Sequence, residues 1–109
     1  MADLTVQAIS LLGIVPSFAA AAELGDAFLN SGREYLHVKN GGGASIDVTV
    51  DSVAACNQGF DHNVIVAVAA AAEKLIGPCP KARFNDVAEK VQVTYSAHAN
   101  VTVAAVRLP

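Results

Sequence analysis

Arg33-Glu34-Tyr35-Leu36-His37-Val38-Lys39, then Asn40-Gly41-Gly42-Gly43-Ala44-Ser45, then Ile46-Asp47-Val48-Thr49-Val50-Asp51 is the stretch that decides the fold class. On the first arm Leu36 and Val38 alternate with Tyr35, His37 and Lys39. On the second, Ile46, Val48 and Val50 alternate with Asp47, Thr49 and Asp51. Period two on both arms predicts strands, and a glycine-rich link after an asparagine predicts a hairpin turn joining them as neighbours. A two-stranded ribbon with one apolar face is not stable alone in water, so further strands must cover it.

Outward from this ribbon, the same signals recur. Leu4, Val6 and Ala8 alternate loosely enough for a first short strand, and residues 27–29 form a brief one before the Asn30-Ser31-Gly32 turn. The β-branched run Val64-Ile65-Val66-Ala67-Val68 reads as a strand, residues 69–72 as an alanine turn, and the segment stopped by Gly77-Pro78 as the next strand. Alanine propensity alone allows a helix over residues 66–76, but the β-branched residues argue against it. Residues 80–86 are turn-rich, Val91, Val93 and Tyr95 alternate, and residues 101–108 close the chain. About seven or eight short strands with turns between them predict an antiparallel β-sandwich or barrel, jelly-roll or immunoglobulin-like, over residues 26–109. Residues 1–25, apolar but interrupted by Gly13 and Pro16, read as an N-terminal arm ordered against another molecule, with Leu11, Leu12, Ile14 and Phe18 as its contact residues. Phe60 and Phe84, anchoring loops, join that candidate interface.

Composition narrows the function. The chain has 109 residues, 53% hydrophobic and only 16% charged, against a usual charged share of about 25%. Such a surface suits a homo-oligomer or a subunit of a larger assembly. A net charge of −3 with seven scattered basic residues offers no stripe for phosphates, so nucleic acid is not expected as a partner. The apolar stretch 8–22 is too short to span a bilayer and is broken by Gly13 and Pro16, and the Asp3-bearing head lacks the basic residues of a signal peptide. Membrane attachment is not expected.

No catalytic, cofactor or metal site emerges. His37, His62, His98, Cys56 and Cys79 lack the close-paired spacings of zinc ligands. Cys56 and Cys79 read as small buried hydrophobes or a single bridge. Ser10, Ser31, Ser45, Ser52 and Ser96 stand in turns rather than in a nucleophile elbow. Asp47 and Asp51 lie roughly 13 Å apart on one strand face, too far for a paired-carboxylate mechanism. Asp47, Asp51 and Asp61 do not make a dense calcium loop. Asn40-Gly41-Gly42-Gly43 precedes a strand, not the helix a phosphate loop needs.

Five segments give a resemblance to a family: Gly32-Arg33, Leu36-His37-Val38-Lys39-Asn40-Gly41-Gly42, Leu75-Ile76-Gly77-Pro78, Phe84-Asn85-Asp86 and Val91-Gln92-Val93-Thr94-Tyr95-Ser96. Over roughly residues 25–108 the chain resembles small proteins encoded beside the major capsid protein in tailed bacteriophages. Family members often have a glycine-containing turn where this chain has Ala69-Ala70-Ala71-Ala72. The resemblance implies a non-enzymatic virion protein that decorates and cements the capsid exterior by binding the major capsid protein, after assembly in the host cytoplasm. A head–tail connector, a tail or fibre component, or a ligand-binding β-sandwich module is the alternative.

Overall fold

A computed structural model describes residues 2–52 and 63–108. Cys56, Phe60, Asp61 and His62 lie outside these. Among the described residues, ten strands and one helical turn follow in chain order: β1 Ala2–Asp3, β2 Val6–Ala8, β3 Ala19–Ala20, β4 Asp26–Leu29, β5 Glu34–Asn40, β6 Ile46–Val50, β7 Val64–Val68, β8 Glu73–Ile76, α1 Lys81–Phe84, β9 Lys90–Tyr95 and β10 Val101–Arg107. They form two facing sheets, β1-β4-β9-β6-β7 and β2-β10-β5-β8, with β3 also on β10. The protein is a β-sandwich.

The pairings show how the sandwich is made. β6 pairs with β7, β5 with β8, β4 with β9 and β3 with β10, all antiparallel. These are nested pairs, with β6 and β7 innermost. Successive pairs alternate between the sheets, which is a jelly roll: a doubled ribbon wound on itself so that its apolar side lines one interior. Two short strands break the antiparallel rule, since β1 runs parallel to β4 and β2 parallel to β10.

The hairpin expected at residues 40–45 is therefore not there. β5 and β6 belong to opposite sheets, and the glycine-rich link carries the chain across the sandwich. Period-two alternation names the buried face of each strand, and a strand opposite across a core obeys it as well as a neighbour does. The face itself is as expected: Leu36, Val38, Ile46, Val48 and Val50 are all buried, packed with Phe28, Val68, Val91, Val93, Val101, Val103 and Ala105. β7 and β8 are likewise strands joined by the alanine turn, but in opposite sheets. That turn holds Ala71 at φ 57°, the left-handed region that glycine enters freely and alanine enters at roughly 1–2 kcal/mol.

Each crossing leaves backbone groups outside the sheet ladders at a corner, and a buried polar side chain bonds them. Asn40 ends β5. Its Nδ2 donates to the carbonyls of Ala44 (2.8 Å), Val68 (3.1 Å) and Ala69 (3.3 Å), and its Oδ1 accepts from the Gly42 N–H (3.0 Å). One side chain thus ties the 41–45 crossing to the 69–72 crossing. Asn30 does the same at the next corner: Nδ2 donates to Cys79 O (2.9 Å) and Asn85 Oδ1 (2.7 Å), while Oδ1 accepts from Gly32 N–H (3.0 Å). At the third corner the Oδ2 of buried Asp26 accepts from the Tyr95 hydroxyl (2.7 Å) and the Ala22 N–H (3.3 Å).

The segment read as an arm, residues 1–25, is built into both sheets from Ala2 onward. Its strands flank β4 and β10, Ala21 is buried in the core, and Leu4 and Val6 pack against it. The outward side chains of β10, Ala104 and Val106, are also buried, because the 9–19 segment lies across them. The arm lacked a legible period because its strands are two or three residues long and change sheets.

Two stability predictions follow from this architecture. Asn30→Ala and Asn40→Ala each strand buried donors and acceptors, so each should lower unfolding free energy by about 2–4 kcal/mol, measured by urea titration. The corners lie at opposite ends of β5, so the double variant should be near additive. Deleting residues 1–22 uncovers β10 and removes Ala21, and should abolish the cooperative thermal transition rather than leave an intact sandwich.

Candidate interaction surface

The register places the ends of the strands, and with them the candidate contact residues. β10 finishes at Arg107 opposite Glu34, beside the Asn30 corner. There the Ile9 N–H donates to Arg107 O (2.9 Å) and the Leu108 N–H to Arg33 O (3.1 Å). The excursion between β2 and β3 leaves from the same end. Gln7 clamps its two limbs, with Nε2 donating to Ser17 O (2.8 Å) and Oε1 accepting from Ser17 N–H (2.7 Å). At its tip the Gly13 N–H donates to Ser10 O (2.9 Å) and the Ser10 hydroxyl to Gly13 O (3.2 Å). Gly13 has φ 86°, so the turn needs a residue without a Cβ penalty.

On this held turn Leu11, Leu12 and Val15 are exposed at 102%, 97% and 93%. Single exposed apolar residues are ordinary, but three fully exposed ones together on a hydrogen-bonded turn form an apolar projection. Ile14 is half-buried over a groove with Ile9, Pro16, Tyr35, His37 and Val106. Phe18 is half-buried on the outer face of β5, its ring edge-on to His37 at 5.0 Å and under Lys39 Nζ at 4.0 Å. Its aromatic contacts are within the chain. Phe84 does not belong to a surface: it is 4% exposed and sits in the core, where α1 folds it inward. Phe60 lies outside the described residues.

Beside the apolar turn is a feature that the sequence did not single out. Arg33, Arg107, Ser31 and Leu108 line an open hollow of about 480 Å³. Neither arginine forms an ion pair among the described residues, whereas Lys90 is held by Asp3 at 3.0 Å. Arg33 and Arg107 are 74 positions apart in the chain, so only the β5–β10 register brings them together. The nearby Glu34 forms no ion pair with either arginine, its carboxylate being engaged by Ser31 and the Arg33 main chain. Oε1 accepts from the Ser31 hydroxyl (2.8 Å), the Ser31 N–H (2.9 Å) and the Arg33 N–H (3.1 Å). Burial works against its ionisation, yet these donors outweigh it and hold its carboxyl below the usual range.

Other polar groups have structural roles. Burial, then the Glu34 charge, pushes the Cys79 thiol up, so this buried cysteine is a poor nucleophile. Burial and the Asp26 bond push Tyr95 up as well. Asp86 accepts from Gln92 Nε2 (2.8 Å) and the N–H groups of Lys90 (3.0 Å) and Ala88 (2.8 Å), closing the turn before β9. Among the described residues no three His, Cys, Asp or Glu side chains converge as a metal site.

Glu34 gives this end of the molecule a pH dependence with a definite sign. A carboxyl whose pKa is lowered on folding stabilises the fold above its unfolded value, near 4.5, and that contribution is lost as pH falls through the lowered folded value. Glu34→Gln should therefore flatten the acid limb of a stability-against-pH curve below about pH 4.5, measured by chemical denaturation.

Comparison with protein-family models, curated proteins and solved structures finds no match to this chain.

Proposed function

We propose that this protein is a non-enzymatic structural subunit that decorates and stabilises a tailed-phage capsid by binding the major capsid protein. The observation that carries the reading is the fully exposed Leu11-Leu12 turn with Val15, held rigid by Gln7 and Ser10, next to the Arg33–Arg107 hollow. An apolar projection flanked by arginines that form no ion pair among the described residues suits burial against another protein, where desolvated aliphatic anchors supply affinity and a basic rim supplies orientation. The resemblance of the 25–108 region to proteins encoded beside capsid genes points the same way. The jelly roll is compatible with it, since viral capsid domains use that architecture, as lectins and cupins also do.

The mechanism on this reading is thermodynamic. A subunit that binds the assembled shell and not its separated components shifts the equilibrium toward the shell, and many copies add small contributions. No covalent step is involved.

The test is a binding assay on shells purified without this chain. Leu11→Asp with Leu12→Asp should weaken shell binding by tenfold or more, about 1.4 kcal/mol, while leaving the melting temperature of the free protein unchanged. Quantitative mass spectrometry of intact particles separates decoration, with many copies over the shell, from a connector present as a single ring. Absence of the chain from particles, or shell binding that ignores the tip, would overturn the reading.

A further inference from the structure

A sandwich of two open sheets has four edges, and each edge strand presents main-chain donors and acceptors to any passing strand. Natural proteins blunt such edges with short strands or charges. Three of the four are blunted here. The edge strand β1 has two residues. The β10 edge is divided between β2 and β3, three and two residues long. The edge strand β8 carries Glu73 and Lys74, both exposed.

Among the described residues β7 has no such protection. It is the last strand of its sheet, paired only with β6 among the described residues. Its five residues, Val64-Ile65-Val66-Ala67-Val68, contain no charge, no proline and no glycine. The direction of its free backbone groups follows from β6. There Asp47 O accepts from the Ser96 N–H and the Asp51 N–H donates to Gln92 O, so odd-numbered residues of β6 bond toward β9 and even-numbered ones toward β7. Val64, Val66 and Val68 oppose those even residues, which leaves the N–H and C=O groups of Ile65 and Ala67 directed away from the sheet. The same two side chains stand on the outer face, with Ile65 65% exposed.

We propose that β7 is a self-association edge, at which a second copy of this chain pairs antiparallel about a two-fold axis through Val66. The strand reads nearly the same in both directions and is neutral throughout, so its own copy meets it without charge repulsion. In this register Ile65 lies opposite Ala67 of the second copy and exchanges both main-chain hydrogen bonds with it. The axis repeats the exchange on its other side, as an isologous contact must. The large side chain sits beside the small one, and half-buried Val66 is covered. The two β1-β4-β9-β6-β7 sheets become one continuous sheet. This inference does not depend on the capsid reading.

Sedimentation velocity over a range of protein concentrations tests it. The wild-type chain should show a monomer–dimer equilibrium. Ile65→Lys with Ala67→Lys sets like charges opposite each other at both symmetry-related pairs and should weaken the dimer by about tenfold or more. Ile65→Lys with Ala67→Glu sets opposite charges there and should restore association to within about threefold of wild type. Both variants alter only outward side chains, so both should retain the wild-type melting transition. The proposal is overturned if the wild-type chain stays monomeric at every concentration, or if the double-lysine variant associates as well as wild type. It is overturned equally if the Lys–Glu variant dissociates like the double lysine, or if Leu11→Asp with Leu12→Asp abolishes dimers that the double lysine leaves intact.

Discussion

A doubled ribbon that must pass between two sheets three times takes backbone groups out of the sheet ladders at each corner, and the buried side chains of Asn30, Asn40 and Asp26 bond them. The first two use the same local device. Each accepts the N–H of a glycine two residues on, which bends its own strand out of the sheet, and each spends its amide donor on the other strand of the ribbon. The turn and its pairing are thereby fixed by one side chain. An apolar residue at either position would remove these bonds from buried and part-buried backbone groups, at about 1–3 kcal/mol for each buried group left without a partner. The Asp26 corner is less complete, since its Oδ1 has no partner. Tyr95 and Ala22 meet only the other oxygen.

How legible the fold was depends on what alternation encodes. The inward faces of β5, β6, β9 and β10 are written in the sequence as Leu36, Val38, Ile46, Val48, Val50, Val91, Val93, Val101 and Val103, and every one is buried. Partner choice is not written there. A strand that faces another across the core and a strand bonded beside it bury the same side chains, so Asn40-Gly41-Gly42-Gly43 passed for a hairpin turn. The distinguishing signal was the asparagine itself. Asn30 and Asn40 each stand two before a glycine at the end of an apolar-patterned strand, and both are buried. A tight two-residue hairpin exposes its asparagine to solvent.

The N-terminal segment misled for a related reason. Its apolar residues suggested an arm reaching for another molecule, and part of it does project: Leu11, Leu12 and Val15 remain in solvent. The remainder covers β10, which makes β10 the strand with both faces buried, from Val101 to Val106 apart from half-exposed Thr102. That burial is visible in the sequence of β10, where Val103-Ala104-Ala105-Val106 loses its alternation just where the N-terminal segment lies over it. Phe84 was misplaced by the opposite error. A lone aromatic in a turn-rich stretch looked like a surface anchor, but the single turn of α1 directs it into the core beside Cys79 and Ile76.

The Arg33–Arg107 hollow was beyond sequence reasoning because neither arginine belongs to a motif and only the strand register joins them. The unguarded edge of β7 is a contrasting case. Its neutrality is plain in the sequence, yet a run of valine and isoleucine is equally the mark of a central strand buried on both faces. Only the pairing of β6 with β9 on one side and β7 on the other puts that run at the rim of the sheet. The winding that places β7 there also places the charged β8 on the same side of the sandwich. Among the described residues one molecule therefore presents, side by side, a charged edge of the kind that discourages strand addition and a neutral edge without that guard.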